Sequence, residues 1–431
     1  MPVFAFHGDI HPRINFIAHT FRIFSENIDT LYFDEFGFDD DLMDGIDAMG
    51  YQTATPVQEQ VIPHIIAGRD IIAAAQTGTG KTAAFLLPVI HKLITEHHEG
   101  HKINAMIIVP TRELAVQITQ ALEGISYYTS ISFISVYGGT GGALFAAEKK
   151  ALTSGVDIVI CTPGRMISHL NMGYVPLDGL RYLILDEADR MLDMGFYDDI
   201  IKIISYMPAE RQNLLFSATM PPGIRKLANT ILKKPVEINI AISKPPEQIK
   251  QEAFLVYDAQ KIPLVKHVLQ QSQFDSVLVF CSSKLSVKKL TEELKRAKFS
   301  VDQIQSDLDQ EKREQVLLDF RSKRLKVLVA TDILSRGIDI EDIDLVINFD
   351  VPHDGEDYIH RIGRTARAST KGAAYTFITE KEQYKFDKIE KLLGHPVTKA
   401  VVPAEFGPTP TPGAGASFQK PKKKKHRNLK R

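Results

Sequence analysis

The sequence repeats one pattern twice, and this repetition constrains the fold more than any other feature. From about residue 31, short apolar runs alternate with longer amphipathic segments, and the alternation starts again after a polar stretch with a Pro-Pro pair at 243–251. Strands buried on both faces appear as continuous apolar runs, and parallel strands need a long connection that is usually a helix. Because 431 residues exceed what one hydrophobic core supports, we predict two α/β domains in tandem, each a parallel sheet flanked by helices.

The two halves of the chain supply the elements of these domains. In the first half the strand candidates are 70–75, 105–109, 133–137, 157–161, 182–186 and 213–217, and the helix candidates are 81–94, 112–123, 142–152 and 163–171. In the second half the strand candidates are 252–257, 276–281, 326–330, 344–349 and 373–379. The polar stretch between them predicts a first domain at 31–241, a linker at 242–250 and a second domain at 251–400.

Both ends of the chain lack the composition of a folded core. Residues 1–30 are rich in aromatic residues without a period of 2 or 3.6, and they make a poor signal peptide. We expect an extension that is disordered or not native, with the biological start near Leu31. Residues 401–431 combine Pro and Gly with a basic end, so we expect a flexible, disordered basic tail.

The charge of the chain is unevenly distributed. The net charge is −1, but residues 420–431 carry eight Lys or Arg and no acid, which leaves about −9 for the preceding residues. A lysine cluster attracts phosphate charge without reading sequence, so this distribution favours a nucleic-acid partner. A solvated end without a partner is the alternative.

Composition also bears on the compartment. No apolar run approaches the roughly 20 residues that span a bilayer, so no membrane partner is expected. The two cysteines, Cys161 and Cys281, each end an apolar run and lack metal-ligand spacing. We interpret them as buried free thiols and predict a cytoplasmic protein.

The stretch "AAAQTGTGKTAAF" is almost a phosphate-binding loop. The pattern G-x-x-x-x-G-K-[ST] is met at Gly80, Lys81 and Thr82, but Ala75 replaces its first glycine. An apolar strand precedes the loop and a helix follows it, so amides at the helix N-terminus can hold a phosphate. Lys81 is expected to reach the β- and γ-phosphates, and the Thr82 hydroxyl is expected to hold Mg²⁺. A glycine turn without a ligand is the weaker alternative.

Two carboxylates follow the apolar strand of "RYLILDEAD". Asp186 ends the strand and Glu187 comes directly after it. In a phosphate-loop enzyme, the first can hold the metal through water and the second can orient and deprotonate the attacking water. The alternative is an acidic loop after a strand, without a role in a nucleotide site.

Three arginines recur every third residue in "YIHRIGRTAR". Arg361, Arg364 and Arg367 therefore project along one side of a short helical stretch. In isolation, such a run is usually a solvated basic face. With a phosphate loop in the other domain, it is a candidate arginine finger that reaches the charge on the γ-phosphate.

The residues 186–189 spell Asp-Glu-Ala-Asp, and with the motifs around them the chain resembles the DEAD-box RNA helicases. "GYQTATPVQ" at 50–58 resembles that family's adenine-reading Q motif, with Ala54 where the family usually has proline. The resemblance covers roughly residues 31–395, and family members begin the phosphate loop with alanine. The basic end and the lack of a further folded domain resemble bacterial members of the RhlE type.

The resemblance implies two tandem RecA-like domains and assigns roles to individual residues. It implies ATP binding by Phe33, Gln58, Ala75, Gln76, Thr77, Gly78, Thr79, Gly80, Lys81, Thr82, Gly337 and Asp339. It implies catalysis by Lys81, Glu187, Arg364 and Arg367, and Mg²⁺ held largely through water by Thr82 and Asp186. It implies RNA contacts by Pro110, Thr111, Arg112, Gly138, Gly139, Thr162, Pro163, Gly164, Arg165, Gln310, Arg313 and Thr331, with "VFCSS" (279–283) also on the RNA side. It implies coupling between the ATP and RNA sites by Asp189, Ser217, Thr219, His360 and Arg361.

The expected function is that of an ATP-dependent RNA helicase, an ATP hydrolase with ATP and Mg²⁺ as cofactors. Its RNA contacts are expected to be to the backbone and independent of sequence, so that short duplexes separate locally or RNA–protein complexes are remodelled. Two alternatives stay open: an ATP-gated RNA clamp or scaffold, and a DNA translocase built on the same domains. We expect a monomer, and the candidate protein partners are those of ribosome assembly or RNA decay.

Overall fold

The described part of the chain folds into two parallel sheets of seven strands each. The computed structural model describes residues 31–75, 78–96, 102–138, 142–240, 249–271, 274–305, 307–331, 343–353, 355–365 and 372–413, and of Gln310 and Glu356 the backbone only. The strand order is β3-β4-β2-β5-β6-β1-β7 in the first sheet and β10-β11-β9-β12-β13-β8-β14 in the second. Every pairing between these strands is parallel, as the continuous apolar runs predict.

The elements follow the chain in this order. The strands of the first sheet are β1 Ile71–Ala74, β2 Ala105–Ile108, β3 Phe133–Val136, β4 Ile158–Cys161, β5 Tyr182–Leu185, β6 Gln212–Ser217 and β7 Val236–Asn239. Those of the second are β8 Lys250–Leu255, β9 Val277–Cys281, β10 Val301–Ile304, β11 Val327–Thr331, β12 Leu345–Asn348, β13 Ala373–Ile378 and β14 Thr398–Lys399. The helices around the first sheet are α1 Asp40–Ala48, α2 Pro56–Ile66, α3 Lys81–Thr95, α4 Arg112–Ile125, α5 Gly142–Ser154, α6 Pro163–Leu170, α7 Ala188–Asp193, α8 Tyr197–Ile204 and α9 Pro222–Ile231. Those around the second are α10 Asp258–Gln271, α11 Lys284–Arg296, α12 Gln310–Arg321, α13 Gly355–Ile362 and α14 Gln383–Leu393.

Helices cover both faces of each sheet, and alternate strand residues enter different cores. In β1, Ile71 and Ala73 pack into the core on the side of α1–α4, whereas Ile72 packs into the core on the side of α6–α9. In β9, Val277 and Val279 face the core of α10 and α11, whereas Leu278 faces that of α12. The strands β1, β2, β4, β5 and β9 are apolar at every position because both of their faces are buried.

The predicted fold class is confirmed, and the differences concern the sheet edges. Every strand candidate overlaps an observed strand, but the candidates omitted the two-residue edge strand β14 and two longer edge strands, β7 and β10. Their sequences are "VEIN" and "VDQI", in which half of the residues are polar because an edge strand is only partly covered. Lys250, predicted as the last linker residue, is instead the first residue of β8.

Residues 401–413 differ from the flexible tail that the composition predicted. The Gln260 side chain donates to the carbonyl oxygens of Phe406 and Pro408 at 2.7 and 2.9 Å. The Gln383 side chain donates to Thr411 and accepts from the Gly413 amide at 3.0 and 2.7 Å. Side-chain amides satisfy a backbone that has no strand partner, so these Pro- and Gly-rich residues pack in place with a single short 3₁₀ helix at Ala404–Phe406. Residues 414–431, the rest of the predicted tail, and residues 1–30 lie outside the described part of the chain.

The cysteines and the helices bear on the remaining composition-based predictions. Cys161 and Cys281 are both buried thiols outside any disulfide, as predicted, and burial raises the pKa of the Cys161 thiol far above its usual range. Among the described helices, none combines the length and the apolar composition needed to cross a membrane.

Truncation will test whether residues 401–413 belong to the second domain. A chain ending at Gly413 should unfold at the same urea concentration as the full chain. A chain ending at Ala400 should unfold earlier, because it loses Val402, which is buried, and Phe406, which packs on the same core. Full burial of such a side chain contributes about 1.5–3 kcal/mol to the free energy of unfolding. Equal urea unfolding midpoints for the two truncated chains would show that the packing of residues 401–413 contributes nothing to the free energy of unfolding.

Candidate functional site

The expected ATP residues and RNA residues occupy two halves of one sheet edge. In a parallel sheet all carboxyl ends meet at the same edge, where polar loops can converge. The phosphate loop, Asp186 and Ser217 follow or end β1, β5 and β6, which are neighbours. The residues expected to contact RNA follow β2, β4 and β3, which form the other half. The second sheet repeats this division, with 282–283 after β9 and α13 after β12.

Lys81, the first residue of α3, is held in place by the strand that precedes the loop. Its side chain is only 6% exposed, and its ammonium donates to the Ala75 carbonyl at 2.9 Å. The Ala75 amide in turn donates to the Ser217 carbonyl at 3.0 Å, which extends the β1–β6 pairing by one residue. Ala75 therefore acts through its backbone, and a methyl group at this position lies in the core and obstructs nothing.

The loop is tied to the Q-motif segment through Gln58. The Gln58 side chain accepts from the Thr55 amide at 2.8 Å and donates to the Gly80 carbonyl at 3.1 Å. Gly80 has φ +92°, and a Cβ there would lie 2.6 Å from Gln58 Nε2 and 3.0 Å from Thr55 Oγ1. Glycine is required at this position for both backbone conformation and space.

Phe33, the expected adenine-contacting aromatic, is buried in the first core. It is 3% exposed, and its ring lies 6.0 Å from that of Phe36 and 6.2 Å from that of Tyr51. Almost none of its surface is open to a base in this arrangement. The adenine contact of Phe33 therefore remains a prediction.

The two carboxylates after β5 differ in their surroundings. Asp186 is 3% exposed, and burial raises the pKa of its carboxyl to about 6, although the Lys81 charge opposes this shift. Glu187 has φ +49°, a strained conformation for a residue with a side chain, and its carboxylate accepts from Arg190 at 3.1 Å. The strain aims Glu187 into the cleft, and Arg190 fixes the direction of its carboxylate.

Hydrogen bonds join the expected coupling residues of the first domain. The Asp189 amide donates to Ser217 Oγ at 3.2 Å, and the Thr219 amide donates to the Asp189 carboxylate at 2.9 Å. Ser217 Oγ donates to the Thr219 carbonyl at 2.8 Å. The segment after β6 therefore moves together with α7, whose first turn follows Glu187.

Residues of both domains line the cleft above Lys81. A cavity of about 20 Å³ is lined by Lys81, Glu187, Asp189, Arg190 and Ala218 from the first domain and by His360 and Arg364 from the second. Such a volume holds about one water molecule, so a nucleotide requires these side chains to move. A second cavity of about 850 Å³ shares Asp189 and His360 with it and extends towards Lys388. The structure thus brings Arg364 to the phosphate-loop residues, as an arginine finger requires.

Two expected RNA-binding arginines form ion pairs across the domains. Arg112 of α4 donates to Glu314 of α12 at 2.6 Å, and Arg313 of α12 donates to Glu113 of α4 at 3.2 Å. Arg112 also lies over the Tyr137 ring at 4.8 Å. Each domain therefore presents one arginine and one glutamate to the other, and these pairs hold the RNA-side halves of the two sheet edges together.

The remaining RNA-side residues of the first domain follow β2, β3 and β4. Pro110 and Thr111 precede α4, and the Thr111 hydroxyl caps that helix by accepting from the Leu114 amide at 3.3 Å. Thr162 precedes α6, whose first residues are Pro163, Gly164 and Arg165, and Gly138 follows β3. The Arg165 side chain is bound to Glu148, which is 1% exposed, at 2.7 Å and lies over the Phe145 ring.

In the second domain the expected residues lie at the carboxyl ends of neighbouring strands. Thr331 ends β11, and the backbone of Gln310 begins α12. Thr79 and Thr82, which flank Lys81 in the sequence, lie across the cleft at the edge of the first sheet. Arg361 is 4% exposed and donates to Asn348 Oδ1 at 2.9 Å. Six predicted residues lie outside the described part of the chain: Gln76, Thr77, Gly139, Gly337, Asp339 and Arg367.

Known proteins share this sequence and this architecture. Residues 55–227 match the family model described as DEAD/DEAH box helicase, and residues 260–369 match that of the helicase conserved C-terminal domain. The ATP-dependent RNA helicase CshA of Listeria monocytogenes is 41% identical over 351 residues, which are 81% of this chain and 66% of that protein. The ATP-dependent RNA helicase DbpA of Bacillus subtilis is 37% identical over 375 residues, 87% of this chain and 77% of that protein.

The chain belongs to the DEAD-box RNA helicase family. The structure of Saccharomyces cerevisiae Dbp5 bound to RNA and ADP BeF3 has a TM-score of 0.76 and 30% identity, covering 86% of this chain and 95% of that one. The structure of Mss116p bound to ssRNA and AMP-PNP also has a TM-score of 0.76 and 30% identity, covering 88% of this chain and 82% of that one. The predicted RhlE type is not supported, because the sequence relatives described above are CshA and DbpA helicases.

The residues expected to hold Mg²⁺ in this DEAD-box protein suit that ion. Asp186 is a buried carboxylate, and burial raises the pKa of its carboxyl in spite of the Lys81 charge. Mg²⁺ usually binds through one or two carboxylates together with substrate phosphates and water. Within the described ranges no group of three or more His, Cys, Asp or Glu residues can hold a metal ion by itself. Asp186 and Thr82 therefore fit an ion that arrives with the nucleotide.

Sequence reasoning missed the partners of the charged residues. Arg190, Glu113 and Glu148 each pair with a predicted site residue, and Glu314 pairs with Arg112 from the other domain. Only Arg190 had a local signal, since it follows Glu187 by three residues and lies on the same side of a helix. The others are far from their partners in the chain.

Substitution of Gly80 will test the connection between the loop and Gln58. Gly80→Ala should weaken the binding of a fluorescent ATP analogue at least tenfold, because the new methyl group collides with the Gln58 side chain and the φ value disfavours it. Gly68→Ala is the matched control, since Gly68 has φ +73° and no atom within 4 Å of the added Cβ. Equal nucleotide affinities in the two variants would show that the contact with Gln58 is unimportant.

Proposed function

We propose that this protein is an ATP-dependent RNA helicase, which hydrolyses ATP when RNA is bound and locally separates short RNA duplexes or remodels RNA–protein complexes. The observation that carries the proposal is the composition of the cleft. Lys81 and Glu187 of the first domain share one cavity with His360 and Arg364 of the second. Neither domain contains the complete set of groups that phosphoryl transfer requires.

The residues of the cleft can divide the steps of hydrolysis among them. Lys81 would leave the Ala75 carbonyl and bind the β- and γ-phosphates of ATP. Glu187, oriented by Arg190, would position the attacking water and accept its proton. Arg364, with Arg367 as a predicted second finger, would stabilise charge on the γ-phosphate. Mg²⁺ held at Asp186 and Thr82 would neutralise phosphate charge.

Gln58 would give the site its preference for adenine. A side-chain amide can donate to and accept from an adenine edge at once. Both of its groups are engaged by Thr55 and Gly80, so the base would exchange with at least one of these contacts. Nucleotide binding would then be sensed directly by the phosphate loop.

RNA would bind along the other half of both sheet edges. Arg112, Arg165 and Arg313 lie at helix N-termini there, where backbone amides and positive side chains favour phosphate. Contacts to the backbone carry no sequence information, so the substrate class is RNA of any sequence. Because the RNA-side groups come from both domains, RNA stabilises the same closed arrangement as ATP, and each ligand strengthens the binding of the other.

We propose domain limits of 31–241 for the first domain and 250–413 for the second. The latter extends the sequence-based range at both ends, because Lys250 lies in β8 and Gly413 is bound by Gln383. We propose a monomeric cytoplasmic protein, with ribosome-assembly or RNA-decay proteins as candidate partners.

The deciding experiment is to measure ATP hydrolysis with no nucleic acid, with single-stranded DNA and with RNA. We expect stimulation by RNA and little by DNA, because recognition of 2′-hydroxyl groups distinguishes the two. Stimulation by DNA instead would favour a translocase. Strand displacement in the same reactions separates the helicase from a clamp, which would stay on RNA without displacing a strand. Hydrolysis indifferent to both nucleic acids would overturn the proposal.

Glu187→Gln should stall hydrolysis while nucleotide binding persists. The amide keeps the shape and can still accept from Arg190, but it cannot take a proton, and loss of a general base costs about a hundredfold or more in rate. Glu123→Gln is the control, because Glu123 is an exposed residue of α4. Single-turnover ATP hydrolysis measures the effect, and an unchanged rate in Glu187→Gln would refute the assigned role.

Arg112→Gln should reduce the dependence of RNA affinity on salt. Each phosphate contact to a single strand adds about 0.7 to the slope of log affinity against log salt concentration, so the slope should fall by about that amount. Arg69→Gln is the control, since Arg69 is exposed and precedes β1 at the amino edge of the sheet. An identical slope in both variants would place the RNA elsewhere.

A further inference from the structure

The second domain contains two regions that must communicate if RNA is to control hydrolysis. One is the turn at Ser282, directly after β9, on the RNA side of the sheet edge. The other is α13 with the turn after it, which contains the buried Arg361 and brings Arg364 to the cleft. Both regions contact the same residue, Asp350, which follows β12 between them.

The side chain of Asp350 holds the RNA-side turn. Its Oδ2 accepts from the Ser282 amide at 2.8 Å and from the Ser282 hydroxyl at 2.9 Å. Its Oδ1 accepts from Lys261, whose side chain is 4% exposed, at 2.8 Å. Burial alone would raise the pKa of this carboxyl, but Lys261 and Ser282 outweigh burial and hold it below its usual range. The carboxylate is therefore charged at neutral pH and bound on both oxygens.

The backbone of Asp350 holds the arginine helix. Arg361 donates to the Asp350 carbonyl at 3.1 Å, and the same nitrogen donates to Asn348 Oδ1. Its guanidinium also lies 5.0 Å from the centre of the Phe280 ring, one residue before the end of β9. The Arg364 amide then donates to the Arg361 carbonyl at 3.2 Å, so the position of Arg361 sets the start of the turn that aims Arg364.

Lys261 makes this junction rigid. Its ammonium lies 3.4 Å from Glu382, whose carboxylate accepts from the Val351 amide at 3.1 Å and from Thr379. One buried cation therefore ties together the segments that follow β12 and β13. The Ser282 turn, Asp350 and Val351 are therefore held in one network of hydrogen bonds around Lys261.

We propose that Asp350 is a positioning residue, which transmits the state of the RNA-side turn at Ser282 to Arg361 and hence to the arginine finger Arg364. The inference rests on the proposed function, since it concerns how RNA controls hydrolysis there. Asp350 reaches neither ATP nor RNA itself. It acts by making the two regions move as one.

The same sheet contains a matched control at its opposite edge. Asp344 precedes β12, and its Oδ2 accepts from the Ser276 amide at 2.9 Å and from the Ser276 hydroxyl at 3.1 Å. The two pairs thus bridge β9 and β12 in the same way, one at the amino ends and one at the carboxyl ends of the strands. If such a pair only stabilises the sheet, substitutions in the two pairs should have the same effect in every functional measurement.

The experiment compares Asp350→Ala with Asp344→Ala in the full chain. The affinity for a short fluorescent single-stranded RNA is measured with and without AMP-PNP, and the ratio of the two affinities is the coupling factor. Asp350→Ala should lower this factor at least about fivefold, a typical size for coupling between two sites, and leave nucleotide-free RNA affinity unchanged. Asp344→Ala should keep the coupling factor of the unaltered protein. Thermal unfolding of both variants separates loss of stability from loss of coupling.

Asp350→Ala leaves Lys261 with Glu382 as its nearest carboxylate. A milder pair of variants therefore keeps the test valid if Asp350→Ala unfolds. Ser282→Ala removes one hydroxyl and leaves the Lys261–Asp350 ion pair intact, and Ser276→Ala is its control. Ser282→Ala should lower the coupling factor by less than Asp350→Ala does, and the double variant should lose no more than Asp350→Ala alone.

Three outcomes are distinguishable. If the unaltered protein shows no coupling between RNA and AMP-PNP, the proposed function fails. If it shows coupling that Asp350→Ala preserves, or that Asp344→Ala reduces equally, the inference about Asp350 fails and the proposed function stands. Loss of coupling in Asp350→Ala and Ser282→Ala alone supports both.

Discussion

Parallel strand pairing is the constraint on which the rest of this protein depends. It forces every strand of a sheet to end at the same edge, so polar loops far apart in the sequence become neighbours there. The phosphate loop after β1, the acidic pair after β5 and the segment after β6 meet for this reason. The second sheet repeats the arrangement, and the cleft forms where the two carboxyl edges face each other.

Local sequence patterns were sufficient for the fold class, and they placed the phosphate loop between a strand and a helix as the structure has it. Continuous apolar runs predicted the central strands, and glycine spacing placed the loop that Gly80 and Lys81 close. The polar edge strands β7 and β10 escaped prediction, because a strand covered on one side needs few apolar residues. Residues 401–413 escaped because their order comes from Gln260 and Gln383, which lie in helices elsewhere in the chain.

The partners that orient the charged groups could not be predicted, since they depend on tertiary contacts. Nothing in the sequence near Arg165 points to Glu148, and nothing near Arg112 points to Glu314. The role of Phe33 stays a prediction that comes from the family resemblance, and the structure adds that its ring packs against Phe36 and Tyr51. Spacing identifies which residue type is present, whereas the packing decides which of its faces is available.

The reciprocal ion pairs between α4 and α12 have a consequence for the open and closed arrangements of the domains. Both helices direct their N-terminal turns at each other, so their dipoles repel, and Glu113 and Glu314 offset this repulsion. Arg112 and Glu314 are partly exposed, and dissolved ions screen such pairs over about 8 Å at physiological ionic strength. Salt therefore opposes domain closure by screening these ion pairs, without binding at any single site. In dilute buffer the domains would be closed more often before any ligand arrives, and ionic strength would set how much of the closing is left for ATP and RNA to drive.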